Sequence, residues 1–274
     1  MFRPAEEIHL CTFALFVLLA WLTKKGSRQR RNVTLVGCAG CAIVLLPHFA
    51  RSVLSAAAFS IIEDWLPAPL MLVVYWQQGG FHTPPSEKLE DALLRFDAIA
   101  LSPFVSREGR IKIRGWLAAW FEFAYLFCYP LVPLGIGALY AAGRRDACDL
   151  YWVTVLPATY LCYALIPFVT SRPPRTLARD MVRVPALGAI RRLNLWLLGR
   201  ASIQINTFPS AHVASTFAAA IVLISVAPVC GWIFLFMAAS IAAGAVLGRY
   251  HYAADAILAI GLAFATFFIG RALL

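Results

Sequence analysis

The apolar residues of this chain cluster into long runs separated by polar segments. The runs cover 8–23, 33–50, 52–78, 115–140, 150–170, 209–228, 230–248 and 254–273. About 20 such residues make a helix that crosses a bilayer core. Pro67 and Pro69 interrupt the third run, where a helix is expected to break. The polar stretch 79–114 contains HTPPSEKLEDALLRFD, which predicts a short surface helix, and 171–207 is the longest basic segment. The pattern predicts an all-α fold, a polytopic transmembrane helical bundle of seven or eight helices, with no internal repeat.

Composition agrees with that pattern. Of 274 residues, 61% are hydrophobic and 14% charged, and mean hydropathy is +0.74. A soluble domain of this size has no core large enough for so much apolar surface. The formal net charge is +10, which in a soluble chain would suggest a nucleic-acid partner. Here the charge lies between apolar runs, so membrane lipid and anionic substrate are the expected partners, and nucleic acid is not. If helices alternate, 24–32, 79–114, 171–207 and 249–253 share one face. The other face keeps Arg3, Arg51, Arg144, Arg145 and Arg271, leaving nineteen of the 24 Lys and Arg on the first. By the positive-inside rule the first face is cytoplasmic. The opening MFRPAEEIHL carries acids and lacks a basic start, so a retained first helix is expected, in a multi-pass protein of the cell or inner membrane.

Seven cysteines, six of them inside apolar runs, argue against a disulfide framework. The Cys38–Cys41 pair is expected to serve as small packing residues. Trp116, Trp120, Tyr125 and Tyr129 read as interface belt and helix packing. Gly244 and Gly248 form a small-xxx-small contact. Glu122, inside an apolar run, is a candidate to face an arginine or a substrate hydroxyl.

Three segments on the first face carry candidate chemistry. In GRYHYAAD, His251 and Asp255 are spaced i, i+4 and share a helix face if the last helix starts near Tyr250. A carboxylate on one imidazole nitrogen fixes the tautomer and frees the other for attack; the same pair would equally lock two helices together. In FPSAH, Phe208 to His212, the second histidine sits in a helix first turn, where unpaired N–H groups favour an anion. Ser210 adds a hydroxyl there, though Thr207 or Ser210 would also serve simply as a helix cap. Two histidines on one face offer a nucleophile and a proton donor. SRPPR supplies Arg172 and Arg175, and Arg249 lies two residues before His251; guanidinium groups grip phosphate oxygens in pairs. A metal site would use His212, His251, Asp255 and His82. No HExxH, paired-Cys or acidic cluster supports it, so neither metal nor cofactor is expected.

These residues resemble the type 2 phosphatidic acid phosphatase superfamily, which includes the vanadium haloperoxidases. FPSAH is similar to the family's Pro-Ser-Gly-His motif, with Ala211 in place of Gly. His251 and Asp255 match the end of its third motif, and Arg172-Pro173 the end of its first. The family's lysine falls on Leu165 and its third-motif arginine on Ala245, one helical turn before Arg249. RPPR and HYxxD are more similar to the branch containing inositol phosphorylceramide synthases. The resemblance implies a six-helix phosphatase-like core over 61–274 and extra transmembrane helices in 1–60. It implies that His251 attacks phosphorus and forms a phosphohistidine, Asp255 orients it, and His212 protonates the leaving group. Arg172, Arg175, Arg249, Ser210 and amides near Ala211 would hold the phosphoryl charge. The implied substrate is a lipid phosphate or diphosphate, cleaved by a phosphatase or passed on by a lipid phosphotransferase. A transporter or scaffold with a structural histidine pair is the non-enzymatic alternative. Oligomeric state has no signature in the sequence.

Overall fold

This computed structural model describes residues 2–23, 25–81, 84–184 and 188–274. It is 76% helical, and no strand occurs among the described residues. The first helices are α1 (Pro4–Leu22), α2 (Ser27–Phe49), α3 (Ala56–Trp65) and α4 (Pro67–Gln78). The amphipathic α5 (Glu87–Ala100) precedes α6 (Gly115–Leu126), α7 (Cys128–Ala141) and α8 (Cys148–Ala164). The polar α9 (Ala189–Ala201) leads to α10 (Ala211–Val226), α11 (Pro228–Leu247) and α12 (Ala253–Leu273).

Proline shapes the bent elements. α3 and α4 meet at 41°, where Pro67 opens α4. α6 and α7 meet at 67°; Pro130 lacks the N–H that would reach back to Leu126 across the junction. Among the described residues, α1, α2, α11 and α12 are long and apolar enough to cross a membrane, and six spans result if each bent pair is one. Two predicted runs come out shorter. The run 150–170 forms helix only to Ala164, and the run 209–228 becomes the 16-residue α10.

α10 occupies the centre. It is buried almost all round, as expected of a helix apolar on every side. Its small residues Ala214, Ala218, Ala219 and Ala220 let neighbouring helices approach closely, and it packs against α7, α8, α11 and α12. α8, nearly as buried, carries α1 and α4 on its other side. One apolar core therefore runs from Phe13 and Phe16 in α1 through Trp152 in α8 to Phe267 in α12. On the outside, Trp232, Phe236, Phe264 and Phe268 are exposed, as lipid-facing side chains are. Gly244 behaves as its spacing predicts: a Cβ there would strike the Phe121 carbonyl where α11 crosses α6.

The two ends of α8 differ. At its start, buried Asp64 accepts from Arg3 at 2.6 Å, Arg145 at 2.6 Å and Tyr140. At its end, Ser171 pairs with Asn206 and the Arg175 amide donates to the Arg249 carbonyl at 3.0 Å. The sequence motifs gather at that second end. All seven cysteines are free.

Candidate active site

The turn between α11 and α12 presents His251. Its amide and that of Tyr250 both donate to the Ala245 carbonyl at 2.9 Å, folding the chain back before α12 begins. Arg249 makes the turn possible by adopting φ +60°, a left-handed conformation that non-glycine residues rarely hold. Asp255, in the first turn of α12, is fully buried. Its Oδ2 accepts from the Tyr252 amide at 3.0 Å and from Asn206 Nδ2 at 2.8 Å, and lies 3.3 Å from His251 Nδ1. The carboxylate thus occupies one imidazole nitrogen and leaves Nε2 for the cavity.

His212, in the first turn of α10, meets His251 edge to face, with ring centroids 5.9 Å apart. Tyr125 and Tyr129 contact His212 at 6.0 and 5.5 Å. Tyr125 also stacks on Tyr250 at 4.0 Å. These two tyrosines therefore do more than the interface-belt and packing roles expected of them: they wall the histidine pair. Both histidines line a cavity of about 540 Å³ with Arg175, Asn206 and Thr207. No acidic side chain lines it among the described residues.

The predicted phosphate ligands separate. Arg175 lines the cavity, its guanidinium 5.4 Å from the Tyr250 ring centre and 3.4 Å from the Tyr250 carbonyl. Burial pushes this guanidinium below its ordinary pKa. An adjacent anion favours the charged form. Arg172 is instead held bidentately by Glu90, at 3.0 and 2.8 Å, and its amide donates to the same carboxylate. Arg179 also grips Glu90. Burial opposes ionisation of Glu90, but hydrogen bonds from Arg172 and Arg179 outweigh it and hold the carboxyl below its usual range. Arg249 is 1% exposed and lies between Asp97 and Asp180; it does not line the cavity. Ser210 is the N-cap of α10, fully buried, with its hydroxyl toward the Val213 amide. The Ala211 amide donates to Thr207 Oγ1 at 3.1 Å. So the capping explanation accounts for both hydroxyls, and Thr207 is the one that also faces the cavity.

Several partners escape the sequence reading. Asn206 is one, since nothing marks an Asn in INTFPS as a carboxylate donor. Glu90 and Asp97 are others. They lie seven residues apart, two helical turns, and with Leu93 form the buried face of α5. That spacing was the available signal, because the predicted surface helix turns acids inward. Glu122 does face an arginine: it binds Arg191 at 2.6 Å and accepts from Tyr250 Oη at 2.6 Å. His82 lies outside the described residues. The group of His, Cys, Asp or Glu spaced to hold a metal, among those described, is Glu6, His48 and Glu63. It sits near Arg3 and Asp64, at the other end of α8 from the histidine pair.

Helices of membrane-crossing length and a cavity lined by two histidines and an arginine define a class of helical membrane protein. A family model described as the PAP2 superfamily matches residues 92–269, more than half of the chain. The chain belongs to the PAP2 superfamily, as its motifs led us to expect. No curated protein and no solved structure matches it. Membership with the apolar helices identifies a multi-pass membrane protein, and points to phosphatase or phosphotransferase activity on phosphate esters.

Proposed function

We propose that this protein is a lipid-phosphate phosphatase that works through a phosphohistidine on His251, without a metal. The observation that carries this reading is the facing of His251 and His212 at 5.9 Å, with Asp255 behind the first and Arg175 lining the same cavity. In this reading the phosphoryl group is held where both imidazoles reach it. His251 Nε2 attacks phosphorus, and the bond from phosphorus to the lipid oxygen breaks. His212 gives its proton to that oxygen, releasing the lipid alcohol. Water then attacks the phosphohistidine and returns a proton to His212, and phosphate leaves. Arg175 balances charge on the transferring group, which is worth most in a site shielded from water.

The test is phosphate release from a panel of lipid phosphates and diphosphates, in detergent with EDTA, for wild type and His251→Ala. Release that survives EDTA and disappears in the variant is expected. Undiminished release from His251→Ala would remove the assignment. His212→Gln adds a second readout: the loss is larger for alkyl than for nitrophenyl esters, because a good leaving group needs no proton.

A second reading, head-group transfer between lipids, is favoured by one observation. Arg175 is the lone Lys or Arg lining the cavity among the described residues, while Arg172 and Arg249 are neutralised by carboxylates. One cation complements a phosphodiester monoanion better than a phosphomonoester dianion. In this reading an alcohol completes the cycle in place of water, as the resemblance of RPPR and HYxxD to the branch containing inositol phosphorylceramide synthases implies. A faster reaction of diesters when an acceptor lipid alcohol is added supports transfer; indifference to the acceptor supports the phosphatase.

A further inference from the structure

The cavity that holds the histidines is polar at one end only. From His251 it extends along α4, whose Ala68, Met71, Leu72, Tyr75 and Trp76 all line it. These positions recur at the helical period and form one stripe. Facing them are Tyr129, Val132 and Pro133 of α7. The opposite side of α4 packs on α1, α2 and α8, which fixes the stripe toward the cavity. Three lining residues are also exposed: Leu72 by 46%, Trp76 by 53% and Tyr129 by 43%. The space between α4 and α7 is therefore both continuous with the histidine pair and open to the side.

We propose that α4 is the specificity element of this enzyme: its Met71–Leu72–Trp76 stripe, with Val132 and Pro133, holds the hydrocarbon chain of the substrate whose phosphorus sits at His251. The proposal rests on the phosphohistidine reading for the position of the phosphate. Cavity size sets the division of the substrate. About 540 Å³ is the scale of pockets that enclose a drug-sized molecule, so the phosphate and the first part of a chain fit and the remainder leaves through the gap into the bilayer. The apolar wall recognises chain by burial, and each methylene placed there adds to binding. α4 ends at Gln78 and the family match begins at 92, so the element that reads the lipid is supplied by the part of this chain outside the match.

Two measurements on the full-length protein test it. The first is cross-linking with a long-chain alkyl phosphonate carrying a diazirine on the chain. The phosphorus–carbon bond is not hydrolysed, so the label reports chain position whether or not turnover occurs. Label in the peptide 67–78, competed by unlabelled phosphonate, is expected. The second is the ratio of kcat/KM for a long-chain alkyl phosphate to that for a short-chain one. Leu72→Trp, which fills the gap, is expected to lower this ratio about tenfold, the scale of one or two misplaced methylenes, and Leu72→Ile to restore it. Label outside 67–78 and 128–133, or an unchanged ratio in Leu72→Trp, overturns the tail site even if hydrolysis depends on His251. Label in 67–78 with hydrolysis indifferent to His251→Ala upholds the tail site and overturns only the phosphohistidine.

Discussion

His251, in the turn before α12, and Asp255, in the first turn of α12, bring Nδ1 and Oδ2 to 3.3 Å, and the carboxylate is shared with Asn206 and the Tyr252 amide. Because Asp255 also ties the 206 loop and the α12 terminus together, its charge and its shape are separable. Asp255→Asn keeps the shape and removes the charge that fixes the imidazole tautomer and balances the phosphohistidine. The expected outcome is a fall in kcat of about 10²–10⁴-fold, with KM for the lipid ester nearly unchanged and the protein still folded in detergent. Asn206→Ala is expected to fall less, since the carboxylate remains. Equal kcat in wild type and Asp255→Asn would show that the pair only joins helices.

Arg249 tests the separation of the arginines. It lies between Asp97 and Asp180, and all three side chains are buried or nearly so. Arg249→Ala strands two carboxylates, and breaking a buried ion pair from one side costs about 3–5 kcal/mol. A lower Tm in detergent is therefore expected. Arg175→Ala removes a cation whose guanidinium has no carboxylate beside it in the cavity among the described residues. It should leave Tm close to wild type and raise the concentration at which phosphate or vanadate inhibits. If Arg249→Ala melted like wild type and Arg175→Ala did not, the two assignments would be exchanged.

Glu90 gives a pH dependence with a defined sign. Its carboxyl is held below the ordinary value of 4.5 by Arg172 and Arg179, against the opposing effect of burial. A depressed folded pKa adds stability above the unfolded value, and this is lost as pH falls through the folded one. Tm of wild type should therefore drop as pH is lowered below 4.5. Glu90→Gln should melt lower at neutral pH and show a shallower drop. Parallel curves for the two proteins would mean that Glu90 contributes no charge-dependent stability.

What the sequence revealed and what it concealed follow from the range of the interactions. The helix runs were legible because a bilayer imposes about 20 apolar residues per crossing. The spacing of His251 and Asp255 made their pairing legible, but not through a shared helix face: α12 begins at Ala253, and His251 reaches Asp255 from the turn before it. The fate of the arginines was not. Arg249 finds Asp97 across 152 residues and Arg172 finds Glu90 across 82, and no local pattern encodes such pairings. Tyr129 is a related case: an aromatic in an apolar run fits a lipid interface equally well, and only the 67° bend between α6 and α7 turns it toward His212.

The side of the membrane that holds the site is open to a direct test. By the positive-inside rule, the positive charge in KKGSRQRR leads us to expect the junction of α1 and α2 on the cytoplasmic side, and the fold connects that junction to the histidines. Lys25 lies over Phe81, which follows α4, at 5.8 Å. Tyr75 and Trp76 of α4 bond to Ile203 and Ala201 at the end of α9, and the same segment continues through Asn206 to Asp255. Arg28 and Arg200 are both exposed at this end. We therefore expect Arg28→Cys and Arg200→Cys to react with a membrane-impermeant maleimide only after cells are permeabilised, above the background of the seven native cysteines. Substrate would then be drawn from the cytoplasmic leaflet. Labelling of both positions in intact cells would put His251 outside. Labelling of one position alone would break the connection from Lys25 to Asn206 on which the assignment depends.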